Sequence, residues 1–235
     1  MADYDLAILG GGPGGYVAAI RGAQLGLKTC IIEKDKLGGI CLNWGCIPTK
    51  ALLKNAEVYN TIKNADKYGI KVDKISVDFP ANIKRSRNVS NRLSKGIEFL
   101  MKKNRISHIS GTGKLTSNTT LEVKNGKMTE IIEAHKIIIA TGARPRSFPG
   151  MEIDGKRVIS SKEAMVLDAP PKKMIIIGSG AIGSEFAYYY NEFGTEVHLV
   201  EMMDRVLPVE DDDVSKEVER NFKKSGIKIS LGTKV

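Results

Sequence analysis

Cysteine, tryptophan and histidine are scarce here: three Cys, one Trp and three His in 235 residues. Three cysteines are too few for a disulfide-stapled scaffold and, with no His close to them in sequence, too few for a four-ligand zinc site. No apolar run is long enough to read as a membrane span. The N-terminus enters Leu6-Ala7-Ile8-Leu9 with no charged leader and no cleavage site, which points to a cytoplasmic protein. Acids are short too, 27 against 36 Lys and Arg, leaving a net charge of +9.

That excess is local. Lys84, Arg85, Arg87, Arg92, Lys95, Lys102, Lys103 and Arg105 face Glu98 alone, while Val89, Leu93, Ile97 and Leu100 recur at helical spacing. The segment reads as an amphipathic helix with a basic outer face, either solvated or docked on an acidic partner. No zinc-finger spacing, RNA-binding aromatic motif or basic tail accompanies it, so nucleic acid is not expected as a partner.

What is plentiful is glycine in a pattern. Tyr4 to Leu9 reads as a strand, Gly10-Gly11-Gly12-Pro13-Gly14-Gly15 as a turn opening a helix to about Leu25, and Lys28 to Ile32 as a second strand ending at Glu33. In this setting Gly10 permits the tight turn, Gly12 the approach of a pyrophosphate, and Gly15 close packing of helix on strand. The helix N-terminus favours the anion, and Glu33 can accept hydrogen bonds from an adenosine ribose. The pattern returns after Met174-Ile175-Ile176-Ile177 as Gly178-Ser179-Gly180-Ala181-Ile182-Gly183, with Glu201 ending Val197-His198-Leu199-Val200. Gly10 and Gly178, Gly12 and Gly180, Gly15 and Gly183, and Glu33 and Glu201 are each 168 positions apart. Two dinucleotide sites are expected, in preference to glycine turns that bind nothing. An acid at the second ribose position favours NAD over NADP, although Arg205 lies nearby.

Between the two turns stands Gly38-Gly39-Ile40-Cys41-Leu42-Asn43-Trp44-Gly45-Cys46-Ile47-Pro48-Thr49-Lys50, running into a helical continuation. Pro48 suits the first turn of that helix. Cys46 then lies near a helix N-terminus, and Lys50 four residues on shares its face; both favour a thiolate. In an unbroken helix, five residues rise about 7.5 Å, beyond the roughly 7 Å between Cα atoms that a disulfide tolerates. A bridge therefore requires distortion, for which Gly45 and Pro48 give cause; two unpaired thiols are the other reading. Cys30, in Thr29-Cys30-Ile31-Ile32, reads as a small core residue.

The string from Gly38 to Leu53, read with Gly10 to Gly15, resembles the flavoprotein disulfide reductases, the class I pyridine nucleotide-disulfide oxidoreductases, and among them the dihydrolipoamide dehydrogenases. The similarity covers essentially the whole chain. Ile137-Ile138-Ile139-Ala140-Thr141-Gly142-Ala143-Arg144-Pro145 resembles the strand and turn closing the family's FAD domain, and Gly111-Thr112-Gly113 its turn near the adenine. The resemblance implies an α/β protein with two Rossmann-like dinucleotide-binding units, the three-layer FAD/NAD(P)-binding fold, the second incomplete. It implies FAD lined by Gly10, Gly12, Gly15, Glu33, Gly39, Cys41, Lys50, Gly113, Thr141 and Gly142, and NAD lined by Gly178, Gly180, Gly183, Glu201 and Val235. Cys46 is implied as the sulfur against the flavin, Cys41 as the one exchanging with substrate, and Lys50 as paired with Glu185 near the flavin's reactive edge. Dihydrolipoamide, or a lipoyl domain of a 2-oxo acid dehydrogenase complex, is the implied partner, with electrons passing to the Cys41–Cys46 disulfide, to FAD and as hydride to NAD.

The expected division is an FAD-binding domain over 1–145, a connection over 146–170 and the first half of an NAD-binding domain over 171–235. Within the first, 116–132 reads as a hairpin turning at Asn125-Gly126. Glu210 to Asp213 reads as the acidic start of a helix, and Ile227 to Leu231 as an edge strand. Family members continue into a dimerisation domain that supplies a His and a Glu across a homodimer. Here His108, His135 and His198 stand in strand-like surroundings and read as structural, so little or no lipoamide turnover is expected. A glutathione-type sibling, for which Glu201 is the wrong ribose partner, and a non-catalytic FAD-binding fragment are the alternatives.

Overall fold

Leu6 to Leu9 contains no polar residue because both faces of the strand it forms are covered. The computed structural model describes residues 2–235 and divides into two compact units, Met1–Pro48 with Arg87–Glu152, and Thr49–Ser86 with Ile153–Val235.

The first unit is built on β1 (Tyr4–Leu9), α1 (Pro13–Gln24), β2 (Thr29–Glu33), α2 (Gly39–Trp44), the start of α3 (Cys46–Lys63), most of α4 (Phe79–Lys103), β3 (Ser107–Ser110), β4 (Thr112–Leu115), β5 (Thr120–Asn125) and β6 (Met128–Ile139). These strands form one sheet in the order β3-β2-β1-β6-β5-β4. β3, β2, β1 and β6 run parallel, while β4 and β5 join antiparallel. The length of β6 makes this possible: its second half pairs with β1 and its first half with β5. Asn125 pairs with Met128, so the hairpin closes on Gly126-Lys127.

The two-residue period of a strand sorts the core into two layers. Leu6, Ile8 and Ile31 pack with Leu37, Leu42, Ile97 and Met101 on one face. Ala7, Leu9, Cys30 and Ile32 pack with Leu121, Val123 and Ile132 on the other. Cys30 is fully enclosed, and burial pushes its thiol up to about 12, so it is an inert core residue.

The helix α4 is amphipathic with a basic outer face as read, Ile97 being buried and Leu100 packed beside it, but its buried face differs in detail. Leu93 is 39% exposed, and the buried positions run Ser86, Ser90, Ser94, Ile97 and Met101. An apolar stripe sought by hydrophobicity misses a face that begins in serines.

The second unit carries α5 (Ser161–Ala164), β7 (Lys173–Ile177), α6 (Ala181–Glu192), β8 (Glu196–Val200), α7 (Asp212–Lys224) and β9 (Lys228–Ser230), with the parallel order β7-β8-β9. Asp211 caps α7 by accepting the N–H of Asp213, and Asp212 and Asp213 fill its first turn, where carboxylates suit the helix dipole. Leu52, Ala56 and Phe79 share this unit's core with Phe186, Tyr189, Tyr190 and Leu199. Among the described residues no helix is long and apolar enough to cross a membrane.

Tyr189 and Tyr190 are both buried, but only the second hydroxyl has work: it donates to the Ala164 carbonyl at 2.5 Å, whereas the Tyr189 hydroxyl has no partner among the described residues. Tyr190→Phe should therefore cost about 1 kcal/mol, while Tyr189→Phe should be neutral or stabilise by up to roughly 1 kcal/mol. Urea unfolding midpoints of the two variants check this, and equal losses would contradict it.

Candidate functional site

The two glycine turns repeat each other in hydrogen bonds as well as in sequence. In the first, the Gly10 N–H donates to the Ile32 carbonyl at 2.8 Å, and the Glu33 carboxylate accepts from the N–H groups of Gly11 at 2.7 Å and Asp35 at 2.9 Å. In the second, Gly178 donates to Val200 at 2.8 Å, and Glu201 accepts from Ser179 at 2.7 Å and Met203 at 2.9 Å. A Cβ on Gly15 would sit 1.8 Å from the Gly10 oxygen, and one on Gly183 would sit 1.9 Å from the Gly178 oxygen. Each helix is thus pressed onto its turn at a distance only glycine allows.

Each turn leaves its helix N-terminus open. Gly12 caps α1 and Gly180 caps α6 with no side-chain hydrogen bond, and neither first turn holds an acid. The leading N–H groups and the dipole can therefore take a phosphate, so both turns fit a dinucleotide pyrophosphate. Burial works against the Glu201 carboxylate, but the N–H groups of Met203 and Ser179 and the Ser179 hydroxyl outweigh it and hold Glu201 below its ordinary value. It stays charged at neutral pH. Arg205 is paired with Asp212 and the Pro208 carbonyl.

The redox segment is tied to the first turn. Gly38 donates to the Gly11 carbonyl at 2.8 Å, and a Cβ on Gly39 would lie 2.5 Å from the Gly12 Cα. From there α2 runs through Cys41 and stops at Trp44, Gly45 turns the chain at φ −149°, and α3 begins at Cys46. The break brings the Cα atoms of Cys41 and Cys46 to 4.6 Å, and the two form a disulfide. Pro48 is the third residue of α3, where a missing N–H costs nothing.

In the second unit, Lys50 and Glu185 form an ion pair at 2.5 Å. The remaining expected cofactor positions are plainer. Gly113 lies on β4, where a Cβ would meet Leu9 at 2.5 Å. Thr141 and Gly142 are exposed just after β6, and Val235 is exposed at the end of the chain.

Residues 4–235 match the family model described as pyridine nucleotide-disulphide oxidoreductase. The chain belongs to the pyridine nucleotide-disulphide oxidoreductase family. Among curated members, it is 52% identical to the dihydrolipoyl dehydrogenase of Zymomonas mobilis over 231 residues, 97% of this chain and 50% of that protein. To the dihydrolipoyl dehydrogenase of Bacillus subtilis it is 46% identical over 242 residues, 99% of this chain and 51% of that protein. Among solved structures, LpdA of Mycobacterium tuberculosis superposes with a TM-score of 0.89 at 29% identity, over 97% of this chain and 51% of that one. The Cu(II) complex of the flavoprotein disulfide reductase RclA from Escherichia coli gives 0.85 at 29%, over 100% and 50%. The chain spans about half the length of the curated relatives it matches.

In this member of the pyridine nucleotide-disulphide oxidoreductases, four residues that sequence reasoning left out hold the redox segment. Ser90 and Arg87 of α4 donate to the carbonyls of Leu42 and Asn43, each at 2.5 Å. Ser94 donates to the Asn43 side-chain oxygen at 2.9 Å, and the Asn43 amide donates to the carbonyls of Leu37 and Gly39 at 3.1 and 3.0 Å. Serine at four-residue spacing in an otherwise basic helix is a signal that could have found Ser90 and Ser94.

Proposed function

We propose that this chain is the FAD- and NAD-binding, disulfide-bearing portion of a dihydrolipoyl dehydrogenase, oxidising dihydrolipoamide at the expense of NAD. The observation that carries the reading is the Cys41–Cys46 disulfide, held at a helix break whose entry is hydrogen-bonded to the first phosphate-binding turn. The relatives named dihydrolipoyl dehydrogenase, at 46–52% identity, support the substrate class. FAD takes the first turn, through Gly10, Gly12, Gly15 and Glu33, with Gly39, Cys41, Lys50, Gly113, Thr141 and Gly142. NAD takes the second, through Gly178, Gly180, Gly183 and Glu201, with Val235. Residues 1–145 serve the flavin, 146–170 connect, and 171–235 serve the nicotinamide nucleotide. The substrate is free dihydrolipoamide or a lipoyl domain of a 2-oxo acid dehydrogenase complex.

A substrate thiolate attacks the Cys41 sulfur, the bond to Cys46 breaks, and Cys46 leaves as a thiolate. As the first residue of α3, Cys46 lies at the positive end of the helix dipole, which stabilises its charge. The second substrate thiolate then displaces Cys41, releasing the substrate as a disulfide. FAD, when bound, supplies the two-electron chemistry that links the dithiol to NAD. Glu185 holds the Lys50 ammonium in one place. Glu201, charged and fixed by its turn, accepts from a free ribose 2′-hydroxyl and repels a 2′-phosphate.

The purified chain should carry FAD by its visible spectrum. Anaerobic dihydrolipoamide should bleach it in a single slow round, with little or no turnover, and NAD should restore the colour far better than NADP. Bleaching by NADPH and recovery with glutathione disulfide would instead identify a glutathione-type sibling. A bound flavin indifferent to dihydrolipoamide would identify a non-catalytic FAD-binding module.

A further inference from the structure

The geometry points to Arg87 as a positioning residue of the redox pair, acting through the carbonyl of Asn43 and the ring of Trp44 to keep Cys41 and Cys46 within closing distance. The inference rests on the redox role proposed above for that pair.

Only Leu42, Asn43, Trp44 and Gly45 separate the two sulfurs. Because α2 ends at Trp44, its last carbonyls need donors from elsewhere. Ser90 meets the one on Leu42 and Arg87 the one on Asn43. Arg87 also lays its guanidinium over the Trp44 ring, 4.5 Å from the centroid. It thereby holds two successive residues of the four, one by a hydrogen bond and one by stacking, which suits a flat, forked cation and does not suit lysine.

The arrangement has a cost that a plain carbonyl cap would avoid. The Arg87 Nη1 is buried with no hydrogen-bond partner among the described residues, and burial lowers the pKa of the guanidinium. Ser90 caps the neighbouring carbonyl without any such charge. What Arg87 adds is the hold on Trp44.

That hold matters most when the disulfide is open. The S–S bond then no longer restrains the loop, and the effective concentration of one thiol at the other is set by how firmly 42–45 is fixed. Loosening the loop makes closure less favourable. A cation acting on the Cys46 thiolate would have the opposite sign, because its removal would destabilise the open form. The direction of the change therefore separates the two roles.

The full chain is equilibrated anaerobically in glutathione and glutathione disulfide at graded ratios, free thiols are alkylated, and the state of Cys41 and Cys46 is read by mass spectrometry. In closing, the two thiols reduce one glutathione disulfide to two glutathiones, a transfer of two electrons. Arg87→Ala should lower the closure constant about tenfold, equivalent to ~30 mV towards a less negative potential. Arg87→Lys and Ser90→Ala should shift it the same way by less, and they carry the test should Arg87→Ala not fold. An unchanged constant in variants that are merely less stable, or a shift towards easier closure, overturns the inference. A wild-type pair that never opens and closes overturns instead the redox reading beneath it.

Discussion

Gly15→Ala should leave a chain destabilised by about 3 kcal/mol or more and unable to retain FAD, whereas Gly183→Ala should spare the flavin and abolish NAD binding. The added methyl carbon would stand 1.8 Å from the Gly10 carbonyl oxygen in the first case and 1.9 Å from the Gly178 oxygen in the second. Neither neighbour is a side chain that could rotate away. To make room, α1 must lift from β1, or α6 from β7, and each shift moves the helix N-terminus that would hold a pyrophosphate. Gly96, inside α4 with nothing near its Cβ position, supplies the control: Gly96→Ala should stabilise the chain by up to about 1 kcal/mol. Urea unfolding, flavin absorbance after gel filtration and NAD titration read the three variants. Retention of FAD by Gly15→Ala would show that the first turn is not the flavin's phosphate site.

The same turns show why much of this fold is legible without coordinates. Strand, glycine turn, helix, strand and terminal acid are short-range features, and their recurrence 168 positions later makes each copy evidence for the other. The helices that follow, α1 over 13–24 and α6 over 181–192, keep that offset to the residue. The helix break was legible in part. Gly45 and Pro48 give reasons for distortion, but only the backbone angles at Gly45 show where α2 stops.

The hold on the redox segment was not legible, for a physical reason. Ser90 and Leu42 are 48 positions apart, Ser94 and Asn43 are 51, and no local rule relates them. Periodicity ranked Leu93 above Ser90 because it scores apolar side chains, yet Leu93 faces water and Ser90 is fully buried. A carbonyl left without a partner where a helix breaks can bury a hydroxyl as firmly as a core buries a leucine. The unit boundaries follow the same logic: α3 and α4 each begin in one unit and end in the other, which no change of composition along either helix betrays.

Cys46→Ser and Cys41→Ser should each reduce dihydrolipoamide-driven reduction of the flavin at least 1,000-fold, on the order expected when a covalently acting residue is removed. Stability should change far less. A bridge between residues five positions apart closes so short a loop that chain entropy assigns it about 2 kcal/mol, near the low end for disulfides. A large loss of activity beside a small loss of stability marks a working disulfide, and the reverse marks a structural one. The two variants should also differ from each other. In Cys41→Ser the remaining sulfur begins α3, where the helix dipole favours its thiolate, and it should react with iodoacetamide at pH values where an ordinary thiol, with a pKa of about 8.5, has fallen silent. That variant should keep a long-wavelength absorbance band when FAD is bound. In Cys46→Ser the remaining sulfur is the third residue of α2, a helix of six residues whose dipole is weaker than that of the 18-residue α3, so the band should be absent and alkylation should need a higher pH than in Cys41→Ser. Identical alkylation profiles for the two would remove the distinction between the sulfurs and with it the order of events proposed for the exchange.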